Sequence, residues 1–156
     1  MRGYITVKPC PLSTNFPVFN GDTVGAEEIA DWMSSDLQLD IRHIDEMIET
    51  FSAFAREKKP GACLGYGNAH GVFVHEHHVY IECEFDDDQR VLLTTDQAIK
   101  ALKAYRRCLL GGGKPGKIPV SYIAEGEDAE LQFLDIADVD DLSDIVARGE
   151  KAHFYS

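Results

Sequence analysis

Residues 71–94 read GVFVHEHHVYIECEFDDDQRVLLT, and the fold turns on how this stretch reverses. A reversal centred between Glu76 and His77 pairs His75 with His78, Val74 with Val79, Phe73 with Tyr80 and Val72 with Ile81. One face then collects Val72, Val74, Val79, Ile81, Cys83 and Phe85. The other collects Phe73, His75, His78, Tyr80, Glu82 and Glu84. Such a partition is what a half-buried antiparallel sheet requires, because a one-residue slip would invert every side chain. Glu-His lacks the Gly or Asn that tight turns favour; a four-residue loop over His75–His78 keeps the same register. A second reversal over Asp86-Asp87-Asp88 sets Cys83 against Val91, Ile81 against Leu93 and Glu84 against Arg90, an opposite-charge pair on the outer face. The stretch predicts a three-stranded antiparallel β-meander over residues 71–93.

Flanking segments supply helices to cover it. After Asp40, a good N-cap, Ile41, Ile44, Met47, Ile48, Phe51 and Phe54 recur every three or four residues, and Lys58-Lys59-Pro60-Gly61 ends the run. Thr94 and Gln97 make a capping-box pair before a second stripe of Ile99, Leu102, Tyr105 and Leu109. The expected class is therefore α+β, with the meander packed on one face by helices 41–57 and 95–109. Upstream, Tyr4–Val7 reads as a short strand, and the proline-bearing KPCPLSTNFPVFNGD as an irregular, ordered loop. Ala26–Trp32 reads as a helix interrupted at Ser34-Ser35-Asp36. Downstream of a Gly/Pro linker at 111–117, Ile118–Ala124 and Glu130–Leu134 read as a C-terminal β-hairpin, followed by a short helix within Asp138–Ala147. Residues 1–110 form the main domain, and the acidic extension 118–156 packs on it to give one domain overall.

The formal charge of −12 and pI near 4.8 give a field that repels nucleic acid and membrane surfaces and accelerates association with a basic partner; the same charge also serves solubility. Nine acidic side chains and no basic one lie between Glu125 and Asp144. Cys10, Cys63, Cys83 and Cys108 form no C-x-x-C pair, MRGYITVKPCPLS has no signal-peptide character, and no apolar run reaches membrane-spanning length. A reduced, cytoplasmic protein is expected.

Four of six histidines lie in GNAHGVFVHEHHVYIECEF, residues 67–85. In the register above His75 and His78 are cross-strand neighbours that can share an ion, but Cys83 points to the opposite face, and His70 differs from His75 in parity. A third ligand is missing and no H-E-x-x-H spacing occurs, so no metal is expected here. Ser13, Ser34 and Ser35 lack a nucleophile-elbow context. GYGNAHG matches no phosphate-binding fingerprint, and Asp86-Asp87-Asp88 lacks the spacing of a calcium loop. No catalytic residue and no cofactor is expected.

The segment VYIECEFDDDQRVLLTTDQAIKALKAYRRCLL, residues 79–110, resembles immunity proteins of bacterial contact-dependent growth inhibition and related polymorphic toxin systems. The features that carry this are the I-E-x-E-F strand, the acidic turn, the V-L-L-T-T strand end and the capped helix. The resemblance implies a non-enzymatic inhibitor whose partner is the C-terminal domain of a cognate toxin, often a nuclease. Nuclease domains carry cationic surface, which an acidic inhibitor complements. The candidate contact residues are Asp86, Asp87 and Asp88 on one turn and Glu125, Glu127, Asp128 and Glu130 on another, both loop tips free to engage a partner. Two other readings stand beside it: a small enzyme using His75 and His78 as a metal or acid–base site, and an α+β adaptor without a toxin partner.

Overall fold

The computed structural model describes residues 1–10 and 12–147. The fold is α+β, with two antiparallel sheets. Strands β1 (Arg2–Cys10), β2 (Ser13–Gly21) and β7 (Gly116–Ser121) form one, in the order β2-β1-β7. Strands β3 (Ala62–Tyr66), β4 (His70–His75), β5 (His78–Cys83), β6 (Arg90–Thr94) and β8 (Ala124–Glu125) form the other, in that order. Helix α1 (Val24–Trp32) contacts both sheets. Helices α2 (Ile41–Glu57) and α3 (Thr95–Leu110) complete the layer around it.

The meander β4-β5-β6 is central in its sheet, and the first hairpin has the expected register, His75 opposite His78 through Val72 opposite Ile81. Its Glu-His turn is held from outside. Glu76, with φ of 51°, donates its N–H to the Lys59 carbonyl, and the His77 carbonyl accepts from Thr95 N–H. The second hairpin is shifted two residues from expectation: Ile81 faces Val91 and Glu82 faces Arg90. Residues 84–89 make a wider loop, closed by Cys83 N–H to the Gln89 carbonyl and by a turn in which the Asp86 carboxylate accepts from Asp88 N–H. A two-residue slip preserves parity, so the apolar face remains apolar through Cys83, but Phe85, expected on that face, lies in the loop and is exposed.

Capping fixes the helices as anticipated. Asp40 Oδ1 accepts from Arg42 and His43 N–H groups, and Thr94 with Gln97 forms a reciprocal capping box. Their apolar stripes, with that of α1, bury Val72, Val74, Val79, Ile81, Val91 and Leu93 on one face of the five-stranded sheet. The opposite face is covered as well, by α4 (Glu127–Ala137) and α5 (Leu142–Ala147). Phe73, Tyr80 and Leu92 meet Ala129, Phe133, Ala137 and Ile145 there in a second core. Tyr80 and Phe133 stack with centroids 5.5 Å apart.

Three expectations are corrected. The proline-bearing stretch after Tyr4 is not an irregular loop. It makes a long hairpin in which Pro9 faces Pro17, a pair with no N–H to donate, and β2 lies at a sheet edge where proline is tolerated. No C-terminal β-hairpin forms: β7 pairs with β1, β8 pairs with β6, and residues 130–134 are helical, because Ala129, Phe133 and Ala137 make a helical stripe. Ser34-Ser35-Asp36 widens the first helix into a π-helical turn, Met33–Leu37, rather than breaking it. Ser34 Oγ donates to the Ala30 carbonyl, and Gln38 N–H closes the turn on the Met33 carbonyl.

Candidate functional site

The acidic residues singled out in the sequence fall into two kinds. Asp86, Asp87 and Asp88 are exposed on the β5–β6 loop, and beside them Phe85 is 78% exposed. Asp86, Asp88 and Gln89 share an open groove of about 490 Å³ with Asp22, Thr23 and Glu27. Among the described residues, no lysine or arginine lines it. Its floor is stiff: Asp22 Oδ1 accepts from Tyr4 N–H at 2.7 Å and Glu27 Oε2 from Gly21 N–H at 2.9 Å. Burial pushes the Glu27 carboxyl up, partly offset by that Gly21 bond.

The second predicted patch divides. Glu127 and Asp128 are exposed in the first turn of α4. Glu125 is engaged internally, its Oε2 accepting from Gly25 N–H at 2.7 Å and from the Tyr122 hydroxyl at 2.8 Å. Glu130 pairs with Arg90 at 2.9 Å. Arg90 also accepts Gly126 N–H through its carbonyl, so both patches flank the start of β6.

His75 and His78 face one another across β4 and β5, both half-buried. Burial lowers the His78 pKa, and the neighbouring His77 and His75 add to the effect. No set of three metal donors forms around them among the described residues.

A second cluster, unmarked by any sequence motif, lies behind the groove, joined to it through Gln89. Glu28 and Asp31 are one turn apart on α1 and so share a face. His70 opens β4 directly opposite Cys83 on β5. His70 Nδ1 lies 2.9 Å from Glu28 Oε2 and its Nε2 lies 3.1 Å from Asp31 Oδ2. The His70 and Glu28 side chains are fully buried, while Asp31 remains 37% exposed. Asp36, turned inward by the π-helical segment, accepts the backbone N–H groups of Ala69 and His70, both at 3.1 Å. Gln89, from the groove wall, reaches Asp31 at 3.4 Å.

Burial alone would depress the His70 imidazolium, but hydrogen bonds to Asp31 and Glu28 and the charges of Glu28 and Asp36 outweigh it and raise the pKa to about 10. Burial pushes Glu28 up to about 7 against the pull of His70. Asp31 is lowered by its bond to His70. The result is an imidazole held between α1 and β4 by two carboxyl groups, which favour its protonated form. One oxygen, Glu28 Oε1, is buried without a hydrogen-bond partner among the described residues. Chemically the set offers proton-transfer groups and a mixture of nitrogen, oxygen and sulfur donors.

Comparison with protein-family models, curated proteins and solved structures finds no match for this chain. Among the described residues, no helix is long and apolar enough to cross a membrane.

Proposed function

We propose that this chain is a cytoplasmic, non-enzymatic inhibitor of the immunity type, and that it neutralises a basic, nuclease-type toxin domain by covering its cationic active-site cleft. The observation that carries this reading is Phe85, an aromatic ring 78% exposed amid Glu84, Asp86, Asp87 and Asp88. A phenylalanine left in water contributes nothing to its own fold, whereas interface energetics concentrate in such anchors, ringed by polar groups that exclude water. The acidic groove beside it, with Asp22 and Glu27 at its floor, supports a cationic occupant. Its negative field would steer the partner in and reject like-charged competitors.

Glu127 and Asp128 extend the same acidic edge and serve the rim. Glu125 and Glu130, committed to Gly25 and Arg90, are assigned to holding that edge in place.

The test is titration against the C-terminal domain of the toxin encoded beside this gene, at two ionic strengths. Phe85→Ala should weaken binding at least tenfold, mostly through faster dissociation. Paired reversal of Asp87 and Asp88 to Lys should slow association and flatten its salt dependence. A wild-type protein that neither binds that domain nor protects cells from it would sink the reading. Normal affinity and salt response in both variants would remove this surface from it.

A further inference from the structure

We propose that Asp31, His70 and Cys83, together with Glu28, form a binding site for one divalent transition-metal ion of the zinc class. This is independent of the inhibitor reading and uses none of its surface residues. One donor atom from each of the four side chains lies within 4.8 Å of all the others, and three of the four residues are buried. A tetrahedral ion with bonds of about 2.0–2.1 Å to nitrogen and oxygen and 2.3 Å to sulfur holds its donors roughly 3.3–3.6 Å apart. The His70 Nδ1–Glu28 Oε2 separation of 2.9 Å is already close to that scale, while Asp31 sits at the other ring nitrogen, 3.1 Å from Nε2. Only a contraction of about 1 Å at the widest edge remains, within reach of side-chain rotation.

The backbone delivers the donors from rigid elements. His70 and Cys83 are paired across adjacent strands, and Glu28 and Asp31 sit on one helix face. Asp36 fixes the strand end by accepting two of its N–H groups. An imidazole gives an ion one nitrogen, so the other ring N–H stays on a carboxylate, the arrangement that orients metal-bound histidines. Glu28, His70 through Nδ1 and Cys83 are then the direct ligands, the Nδ1 and thiol protons leaving as the ion binds. Asp31 keeps the Nε2 proton as the orienting group, and a fourth position stays open toward its partly exposed side. A purely structural ion pair leaves Glu28 Oε1 buried and unpartnered; a cation beside it removes that anomaly. The mixture of sulfur, nitrogen and oxygen favours zinc or cobalt over magnesium or calcium.

The experiment uses untagged, chelator-treated protein, titrated with Zn²⁺ by calorimetry and with Co²⁺ by absorption. One ion per chain and a thiolate-to-cobalt charge-transfer band are expected. Cys83→Ser should abolish the band, and Asp31→Asn should weaken Zn²⁺ binding at least tenfold. The double variant His75→Ala/His78→Ala should bind as wild type does. Folding of each variant is checked by circular dichroism, and the wild-type cobalt band decides the matter even where a variant unfolds. Folded wild-type protein that takes up no ion at one per chain, or that binds Co²⁺ without a thiolate band, would overturn the site. So would binding that survives Cys83→Ser and disappears in the His75/His78 variant.

Discussion

Replacing His70 with Leu isolates the energetic role of the buried imidazolium. The substitution strands a carboxylate whose side chain is fully buried, Glu28, while Asp31, 37% exposed, retains solvent. Breaking a buried ion pair from one side costs about 3–5 kcal/mol, because the surviving charge loses its partner without regaining water. Glu28 has an escape, since burial already favours its protonated form, so the loss should fall at the lower end, about 3 kcal/mol. For a domain of this size that corresponds to a fall of roughly 6–12 °C in Tm. The chain has a single tryptophan, Trp32, almost fully buried on the same helix as Glu28 and Asp31. Urea titration of metal-free protein, followed by its fluorescence, reads the loss directly. Adding Glu28→Gln to His70→Leu should recover most of the stability, because no charge is then stranded. A single-variant loss below about 1 kcal/mol, or a second substitution that deepens the loss, would refute the assignment of His70 as the neutralising partner.

Phe133→Ala removes the ring that stacks on Tyr80 in the second core and should cost about 3–5 kcal/mol, measured by urea denaturation; a loss under 1 kcal/mol would mean that α4 does not cover that face. Gly25→Ala would set a Cβ 2.5 Å from the Tyr122 ring, whose hydroxyl is held between Thr23 and Glu125. A loss of about 1–3 kcal/mol is expected, and a neutral result would show that the ring moves freely. His78, whose pKa burial lowers, predicts a pH effect. Below the unfolded-state value of about 6.5 the unfolded chain binds more protons than the folded one, so stability from this group is present above that pH and lost on acidification. His78→Gln should therefore lose less stability than wild type between pH 7 and 5, as read from paired thermal melts, and parallel curves would count against the lowered pKa.

Local signals proved sufficient where the physics is local. Asp40, Thr94 and Gln97 announce their helices because capping joins residues two or three apart within a single turn, and the register of His75 with His78 follows from a two-residue period. The second face of the sheet was misjudged because parity says which side chains share a face, not what lies beyond it. Phe73, Tyr80 and Leu92 were the available hint, three large apolar groups on a side read as solvent. The helix 127–137 is hidden behind ELQF, residues 130–133, which alternates over a short window, although Ala129, Phe133 and Ala137 recur at helical spacing. The proline-bearing N-terminal hairpin was masked because pairing to β7 is decided more than 100 residues away. The buried cluster was half visible. The same register that sets His75 against His78 places His70 opposite Cys83, and Glu28 precedes Ile29 on a helix that carries a further carboxylate, Asp31, three residues on. Joining the two requires knowing that α1 crosses that strand, which no local pattern encodes.

The pairing of β1 with β7 sets a timetable for folding. Ile5 lies opposite Ile118, so β1 waits for a strand made more than a hundred residues later. At roughly 5–20 residues per second of translation, that wait is about 6–20 s. During it the β1 edge of the β1–β2 hairpin is unpaired, a template for other nascent chains. Contacts of such sequence separation also slow the uncatalysed search, because loop closure precedes any gain from pairing. Yield in the cell should thus depend on how fast residues 116–121 leave the ribosome. Synonymous codons that slow the stretch between β2 and β7 should lower soluble recovery while leaving the finished protein unchanged.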